Sequence, residues 1–174
     1  MTKKLYEDNS LLKECTAKVI SCAKVEDHYE VVLDQTVIFP EGGGQLSDEG
    51  KIDDALVSYA KEQGEDVVHF TNKEIAVGSS VKVTLDWPIR LDHMQQHSGE
   101  HILSYAFWKE CGANNIGFHM NKDLVTIDLD KELTEEDMLK AEKYANEEIW
   151  ANKPISVTHM PDTEVAKLTM RKKK

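Results

Sequence analysis

The sequence has 174 residues, 40% of them hydrophobic, which is enough to form a core in one domain or in two small ones. Acidic residues outnumber basic residues by 32 to 21, so the formal charge of −11 does not favour a polyanionic partner and any nucleic-acid contact must be local. No apolar run approaches the roughly 20 residues that span a bilayer, and no leader-like segment opens the chain, so we expect no membrane partner. The three cysteines form no CxxC pair, and we expect them to be reduced thiols in a cytoplasmic protein.

Up to about residue 87 the sequence predicts β-structure. Short runs rich in β-branched residues alternate with turn residues, and helical periodicity is absent between them. The predicted strands are 17–22, 29–33, 36–39, 55–60, 67–70 and 80–85. Their number and spacing favour a small barrel or sandwich. Pro88 forces Trp87 toward an extended conformation, which predicts a boundary after a first domain at 1–88.

The pattern becomes helical at Ile89, and we assign 89–174 to a second domain. The first helix is predicted to run from Ile89 to about Cys111. Gly112 follows the last apolar position and is the expected end of this helix, because glycine readily adopts the left-handed conformation found there.

The rest of the second domain is predicted to mix strands and helices. A strand is expected over 124–129, and a helix after Thr134, which can cap it. Another strand over 154–160 precedes a final helix that begins at Pro161 and continues into the lysine-rich end of the chain. The helix after Thr134 is expected to bury an apolar face made of Met138, Leu139, Ala141, Tyr144, Ala145, Ile149 and Trp150.

A glycine-rich segment, EGGGQ at residues 41–45, interrupts the predicted strands. It matches neither the phosphate-binding loop nor the dinucleotide-binding pattern. Three consecutive glycines permit positive φ and let a ligand approach the backbone, and Gln45 adds a donor and an acceptor. The segment is either a ligand-binding loop or a tight connection between strands.

Two histidines lie four residues apart in the first predicted helix. His97 and His101 therefore project from one face, where two imidazoles can bind one zinc ion. The segment HSGEH fits the H-x-x-E-H peptidase pattern, in which Glu100 would polarise a metal-bound water, and it also fits H-x-x-x-H, in which Glu100 is incidental. Two ligands are too few for zinc, and His119 and Cys111 are the additional candidates. Without a metal, the pair would be ordinary core or surface histidines.

Taken together, these motifs resemble the alanyl-tRNA editing family, which includes the free-standing AlaX-type proteins and the editing domain of alanyl-tRNA synthetase. The resemblance follows the same order over nearly the whole chain. The matching positions are 39–45 with Asp48 and Gly50, Arg90, 94–104, 117–119 and 126–128.

The resemblance implies an α+β fold, in which a small β-barrel-like domain precedes an alanyl-tRNA synthetase-type editing domain. It also implies that the protein hydrolyses the ester between serine or glycine and tRNA(Ala), and that it contacts the tRNA acceptor end. The residues carried over are the zinc ligands His97 and His101 and the substrate-contacting residues Gly43, Gly44, Gln45 and His119. Glu100 remains the candidate catalytic residue from the H-x-x-E-H pattern.

One departure from the family concerns zinc. The family completes its zinc site with a downstream Cys-x-x-x-His pair, and no such pair follows His101 in this sequence. We therefore expect two of the four zinc ligands and interpret the chain as the N-terminal part of a longer editing protein. The alternatives are a non-catalytic tRNA-binding or aminoacyl-binding module on the same scaffold and an H-x-x-E-H zinc peptidase.

Overall fold

The first half of the chain forms a closed β-barrel in the computed structural model, which describes residues 1–156, 158 and 160–167. Its strands in chain order are β1 (Lys3–Lys4), β2 (Glu14–Val25), β3 (His28–Leu33), β4 (Gln35–Thr36), β5 (Gly50–Ile52), β6 (Ala55–Gln63), β7 (Asp66–Thr71) and β8 (Ser80–Leu85). The barrel has the spatial order β2-β3-β7-β6-β5-β8, and all its neighbouring strands are antiparallel. A short helix, α1 (Leu5–Asp8), follows β1, which pairs in parallel with β4.

Alternating side chains explain the barrel interior. In β8, Val81, Val83 and Leu85 are buried, whereas the residues between them face outward, as a strand with a period of two requires. Buried side chains from β2, β3, β5, β6 and β7, and from the two residues that follow β4, join them in one core. Its buried members are Ala17, Val19, Val31, Leu33, Val37, Ile38, Ile52, Val57, Ala60, Val67, Val81, Val83 and Leu85.

A long helix, α2 (Trp87–Cys111), leaves the barrel. It begins where the side chain of Asp86 accepts a hydrogen bond from the backbone N–H of Ile89. It ends at Gly112, whose φ of 62° is left-handed. The predicted helix and its glycine stop are confirmed. The expectation that Trp87 is extended is wrong, because Pro88 fits the first turn and the helix starts two residues earlier than expected, at Trp87.

The remaining elements pack beside α2. A hairpin of β9 (Asn115–Met120) and β10 (Val125–Leu129) comes first, followed by α3 (Glu135–Trp150) and the short α4 (Asp162–Val165). Thr134 and Asp137 cap α3 reciprocally, as a capping box. The helices α2 and α3 meet through small buried residues, Ala106, Ala141 and Ala145.

The predicted apolar face of α3 is wider than the face that the structure buries, so the prediction is wrong in its extent. Ala141 and Ala145 are buried, and Tyr144 packs beside them. The other four predicted members are about half exposed or more: Met138, Leu139, Ile149 and Trp150. The close approach of α2 through alanines leaves only a narrow stripe of α3 in contact.

Three other predicted elements need correction. The strand expected over 36–39 stops at Thr36. Of the strand expected over 154–160, residues 154–156, 158 and 160 are not in a strand, and 157 and 159 lie outside the described residues. The final helix covers Asp162–Val165, and its predicted continuation from 168 lies outside the described residues.

The mixture of helices and strands confirms the predicted α+β class. The division into domains at residues 1–88 and 89–174 stays a prediction. Among the described residues, no helix combines the length and apolar character needed to cross a bilayer.

Candidate functional site

The two histidines of α2 lie side by side on one face of the helix. The ring centroids of His97 and His101 are 5.0 Å apart, and the rings are nearly stacked. The i, i+4 spacing produces this arrangement, because positions four apart in a helix are neighbours on its surface.

The glycine-rich segment forms a tight turn beside the barrel. The backbone N–H groups of Gly42 and Gln45 each donate to the carbonyl of the other residue, at 3.1 and 3.0 Å. Gly43 and Gly44 between them have φ values of 61° and 88°. Two successive positive φ values are the geometry of a primed turn, and glycine adopts them at the least cost. The segment therefore forms a tight turn.

This turn also touches the histidine helix. The Oε1 atom of Gln45 lies 3.1 Å from Nδ1 of His97, and the Gln45 side chain is largely buried. When Nδ1 of His97 carries the proton and donates it to Gln45, its Nε2 is free to bind a ligand. The structure thus brings the two motifs into contact, although they are 52 residues apart in sequence.

Phe118 on β9 forms a wall of the site that the residue patterns did not identify. Its ring lies nearly parallel to that of His97, with a centroid distance of 5.9 Å. It also lies against Gly44, where an added Cβ would come within 3.0 Å of the Phe118 ring. The available signal was the position of Phe118 within the segment at 117–119 that resembles the editing family.

Glu100 lies beneath the histidines and not in the open cleft. Its side chain is 4% exposed, and its Oε1 atom accepts hydrogen bonds from the Ser104 hydroxyl and the Asn115 side-chain amide. Its Oε2 atom lies 3.3 Å from Nδ1 of His101. The carboxylate therefore connects α2 to β9 and lies against one histidine ring.

Of the other predicted site residues, His119 and Gly43 lie close to the glycine turn, whereas Cys111 lies far from the two histidines. His119 lines a cleft of about 500 Å³ together with Gly42, Gly44 and Gln45, and its Nε2 atom lies 3.4 Å from a carboxylate oxygen of Asp128. The turn places Gly43 between Gly42 and Gly44, at the tip of the loop.

Cys111, in contrast, lies at the last position of α2, about 15 Å along the helix axis from His101. Its thiol contacts the backbone carbonyl of Asp137, and burial raises its pKa. Cys111 is therefore too far away to bind a metal held by the two histidines.

Both histidines have the local environment of metal ligands. Each Nδ1 faces an oxygen, from Gln45 for His97 and from Glu100 for His101, and such contacts commonly orient zinc-binding imidazoles. Partial burial, and secondarily the charge of His101, hold the pKa of His97 below its usual value, which favours the neutral form that binds metals. The donor set fits zinc as two ligands. In the described part of the chain, no group of three or more His, Cys, Asp or Glu side chains could hold a metal ion.

Comparison with known proteins shows relatives over almost the entire chain. Residues 5–89 match the family model for class II (A) tRNA synthetases. The alanyl-tRNA editing protein Aarsd1 of Rattus norvegicus is 33% identical over 183 residues, covering 96% of this chain and 44% of the relative. The alanyl-tRNA editing protein AlaX-L of Pyrococcus horikoshii is 32% identical, covering 90% of the chain and 41% of the relative.

A third relative is a synthetase. The alanine–tRNA ligase of Thermococcus kodakarensis is 32% identical over 94% of this chain, which corresponds to 18% of the ligase. This chain therefore spans less than half the length of these relatives.

Proposed function

This chain belongs to the alanyl-tRNA editing family, and on that premise we propose that it takes part in hydrolysing the ester that links serine or glycine to tRNA(Ala). The observation that carries this proposal is the contact between Gln45 and His97. It brings a loop suited to binding a ligand through its backbone against a pair of histidines suited to binding zinc.

In this proposal His97 and His101 would hold a zinc ion. When bound, zinc would polarise an ester carbonyl and activate a water molecule. Glu100 keeps a proton on Nδ1 of His101, and Gln45 does the same for His97. These two contacts hold the imidazoles in the tautomer that leaves Nε2 free.

The cleft lined by Gly44, Gln45 and His119 accepts the aminoacyl end of the tRNA in this proposal. Gly43 and Gly44 present backbone without side chains, so a ligand can approach the main chain there. His119 lines the same cleft and can hydrogen-bond the substrate. The tRNA acceptor end is the partner in this proposal, and the cytoplasm is its location.

Release of serine from mischarged tRNA tests the proposal. We expect zinc-supplemented protein to release serine from seryl-tRNA(Ala) in a single-turnover assay, faster than buffer does, while alanyl-tRNA(Ala) stays intact. His97→Ala and His101→Ala should lose this activity, whereas Gln96→Ala, on the exposed surface of the same helix, should keep it. Equal rates for wild-type protein and His97→Ala would contradict the zinc-dependent mechanism.

A non-catalytic binding module on the same scaffold is the second candidate. It is favoured because, among the described residues, no third His, Cys, Asp or Glu side chain is placed to hold a metal ion together with the two histidines. This candidate predicts that the protein binds an aminoacylated acceptor-stem RNA without releasing serine, with or without added zinc. The peptidase hypothesis is less favoured, because Ser104 and Asn115 already engage the carboxylate of Glu100 away from the cleft.

A further inference from the structure

A buried ion pair lies at the junction of the barrel and α2, outside the site described above. Arg90, in the first turn of α2, and Asp48, just after the glycine turn, have side chains that are 2% and 0% exposed. The Nε atom of Arg90 lies 2.8 and 2.9 Å from the two carboxylate oxygens of Asp48, and its NH2 group donates to the same carboxylate. This bidentate arrangement fixes the orientation of both side chains as well as their separation.

The pair also closes the base of the glycine loop. The backbone N–H of Phe39 donates to Asp48 Oδ2 at 2.6 Å, and the backbone N–H of Asp48 donates to the Phe39 carbonyl at 2.9 Å. The remaining Arg90 N–H groups donate to the carbonyls of Ser10 and Val37 at 2.9 and 2.7 Å. One guanidinium therefore connects the helix to three separate parts of the N-terminal region.

The far side of the loop is attached to the barrel. Glu41 donates its backbone N–H to the carbonyl of Ala60 on β6, and the hydroxyl of Ser47 accepts from the backbone N–H of Ala60. The loop is thus fixed to β6 on one side and to α2, through Asp48 and Arg90, on the other. Arg90 lies two helical turns before His97, about 10 Å along the axis.

From this arrangement we propose that Arg90 and Asp48 are positioning residues, which act as a clamp holding the glycine loop against α2 so that Gln45 stays in contact with His97. Stability alone does not require such a pair, because two well-packed apolar residues often replace a buried ion pair without loss. The pair instead fixes the relative orientation of its two side chains, because a guanidinium fork holds a carboxylate in one orientation and a lysine ammonium does not.

The test is a through-space NMR contact between the Gln45 side-chain amide and the His97 ring. In Arg90→Lys, which keeps the charge but not the fork, we expect this contact to be lost in a folded protein. The same loss is expected when Asp48→Leu and Arg90→Met are combined, which removes both charges together. The contact between Asn115 and Ser104 provides an internal control and should persist in both variants, because the clamp does not reach it.

A matched pair of substitutions at an exposed ion pair completes the design. Lys4 and Glu62 are joined at 2.5 Å on the surface, with side chains 24% and 50% exposed, so Lys4→Met combined with Glu62→Leu should leave the contact of Gln45 with His97 intact. Persistence of that contact in either folded clamp variant would overturn the proposal. Loss of folding in both variants would also overturn it, because the pair would then be a general requirement of the fold. No readout uses activity, so the outcome is independent of the proposed function.

Discussion

Replacing Glu100 by glutamine should weaken metal binding, because it should move the proton of the His101 ring from Nδ1 to Nε2. The carboxylate oxygen Oε2 lies 3.3 Å from Nδ1 of His101, and its negative charge favours the tautomer that carries the proton on Nδ1 and leaves Nε2 free. Glutamine keeps one oxygen for Ser104 and Asn115 but places an NH₂ group opposite Nδ1 of His101. Nδ1 must then accept, and the proton moves to Nε2, where a metal would bind. The opposite amide orientation would set two NH₂ groups, those of the glutamine and of Asn115, against each other.

The expected loss of metal affinity follows from the role of Glu100 as the group that faces a metal-binding histidine. Loss of a group that orients a metal-binding histidine typically lowers metal affinity about 10-fold to 100-fold, or about 1.4 to 2.7 kcal/mol. The free energy of unfolding should fall by about 1 to 2 kcal/mol, because Ser104 and Asn115 lose a charged acceptor and gain a neutral one. The loss of metal affinity should therefore appear in a protein that still folds.

Two measurements check this prediction. Calorimetric titration with zinc gives the affinity ratio of the variant to the wild type, and ¹⁵N NMR of the histidine rings without metal reports which nitrogen of His101 is protonated. Glu110→Gln, on the exposed end of the same helix, is the matched control and should change neither. Unchanged zinc affinity, with the proton still on Nδ1 of His101 in Glu100→Gln, would refute the reasoning.

Three further predictions concern stability. Burial lowers the pKa of His69 to about 4 from 6.5, so the unfolded chain binds more protons and the free energy of unfolding should fall by up to about 3 kcal/mol between pH 6.5 and about 4. Urea denaturation across that range would show this slope, and His69→Gln should reduce it. Gly44→Ala should cost about 2 kcal/mol, because an added Cβ meets both a positive φ and the Phe118 ring. In Gly43→Ala the added Cβ meets no neighbour and only the positive φ is unfavourable, so this variant should lose about 1 kcal/mol of stability. Equal losses of stability in the two variants would show that the Phe118 ring does not contribute to the cost at Gly44. Thr134→Ala should lower the melting temperature through loss of about 1 kcal/mol of capping, and an unchanged value would show that the cap is dispensable.

Local chemistry made the helices predictable. Gly112 ends α2 in the left-handed conformation that favours glycine, and Thr134 caps α3 with its hydroxyl. Such signals act within a few residues, so they are present in the sequence without any knowledge of tertiary contacts. The longer strands were recognisable for a similar reason, because β8 alternates buried and exposed residues along its length.

Elements whose formation depends on distant partners were missed. The strand β5 has three residues, which is too short for a period to appear, and it forms because β6 and β8 pair with it on either side. The strand β9 contains Gly117, where an added Cβ would come within 2.5 Å of the Asp128 carboxylate. No strand was predicted at this position, and the close approach of β10 explains why a glycine stands there.

The parts of the candidate site follow from local patterns, whereas their meeting was expected only because both motifs occur in one chain, as they do in the editing family. The spacing of His97 and His101 indicated a shared face, and that follows from helix geometry alone. The contact of Gln45 with His97 depends on how the barrel meets α2, which no local pattern specifies. Phe118 carries no polar group, so a search for reactive side chains could not single it out.

The two sheets that meet at the site differ in how readily they should open. In the barrel every strand has a neighbour on both sides, whereas β9 and β10, within the described residues, pair only with each other. Backbone amides on the outer edges of that hairpin should exchange with solvent by local opening, while barrel amides should exchange only with global unfolding. The loop that carries Gln45 thus belongs to the slow-exchanging unit and Phe118 to the fast one. The wall of the cleft that Gln45 forms should therefore persist as long as the molecule is folded, while the wall that Phe118 forms can move away and return. This motion would let a bound molecule leave the cleft while the barrel stays closed.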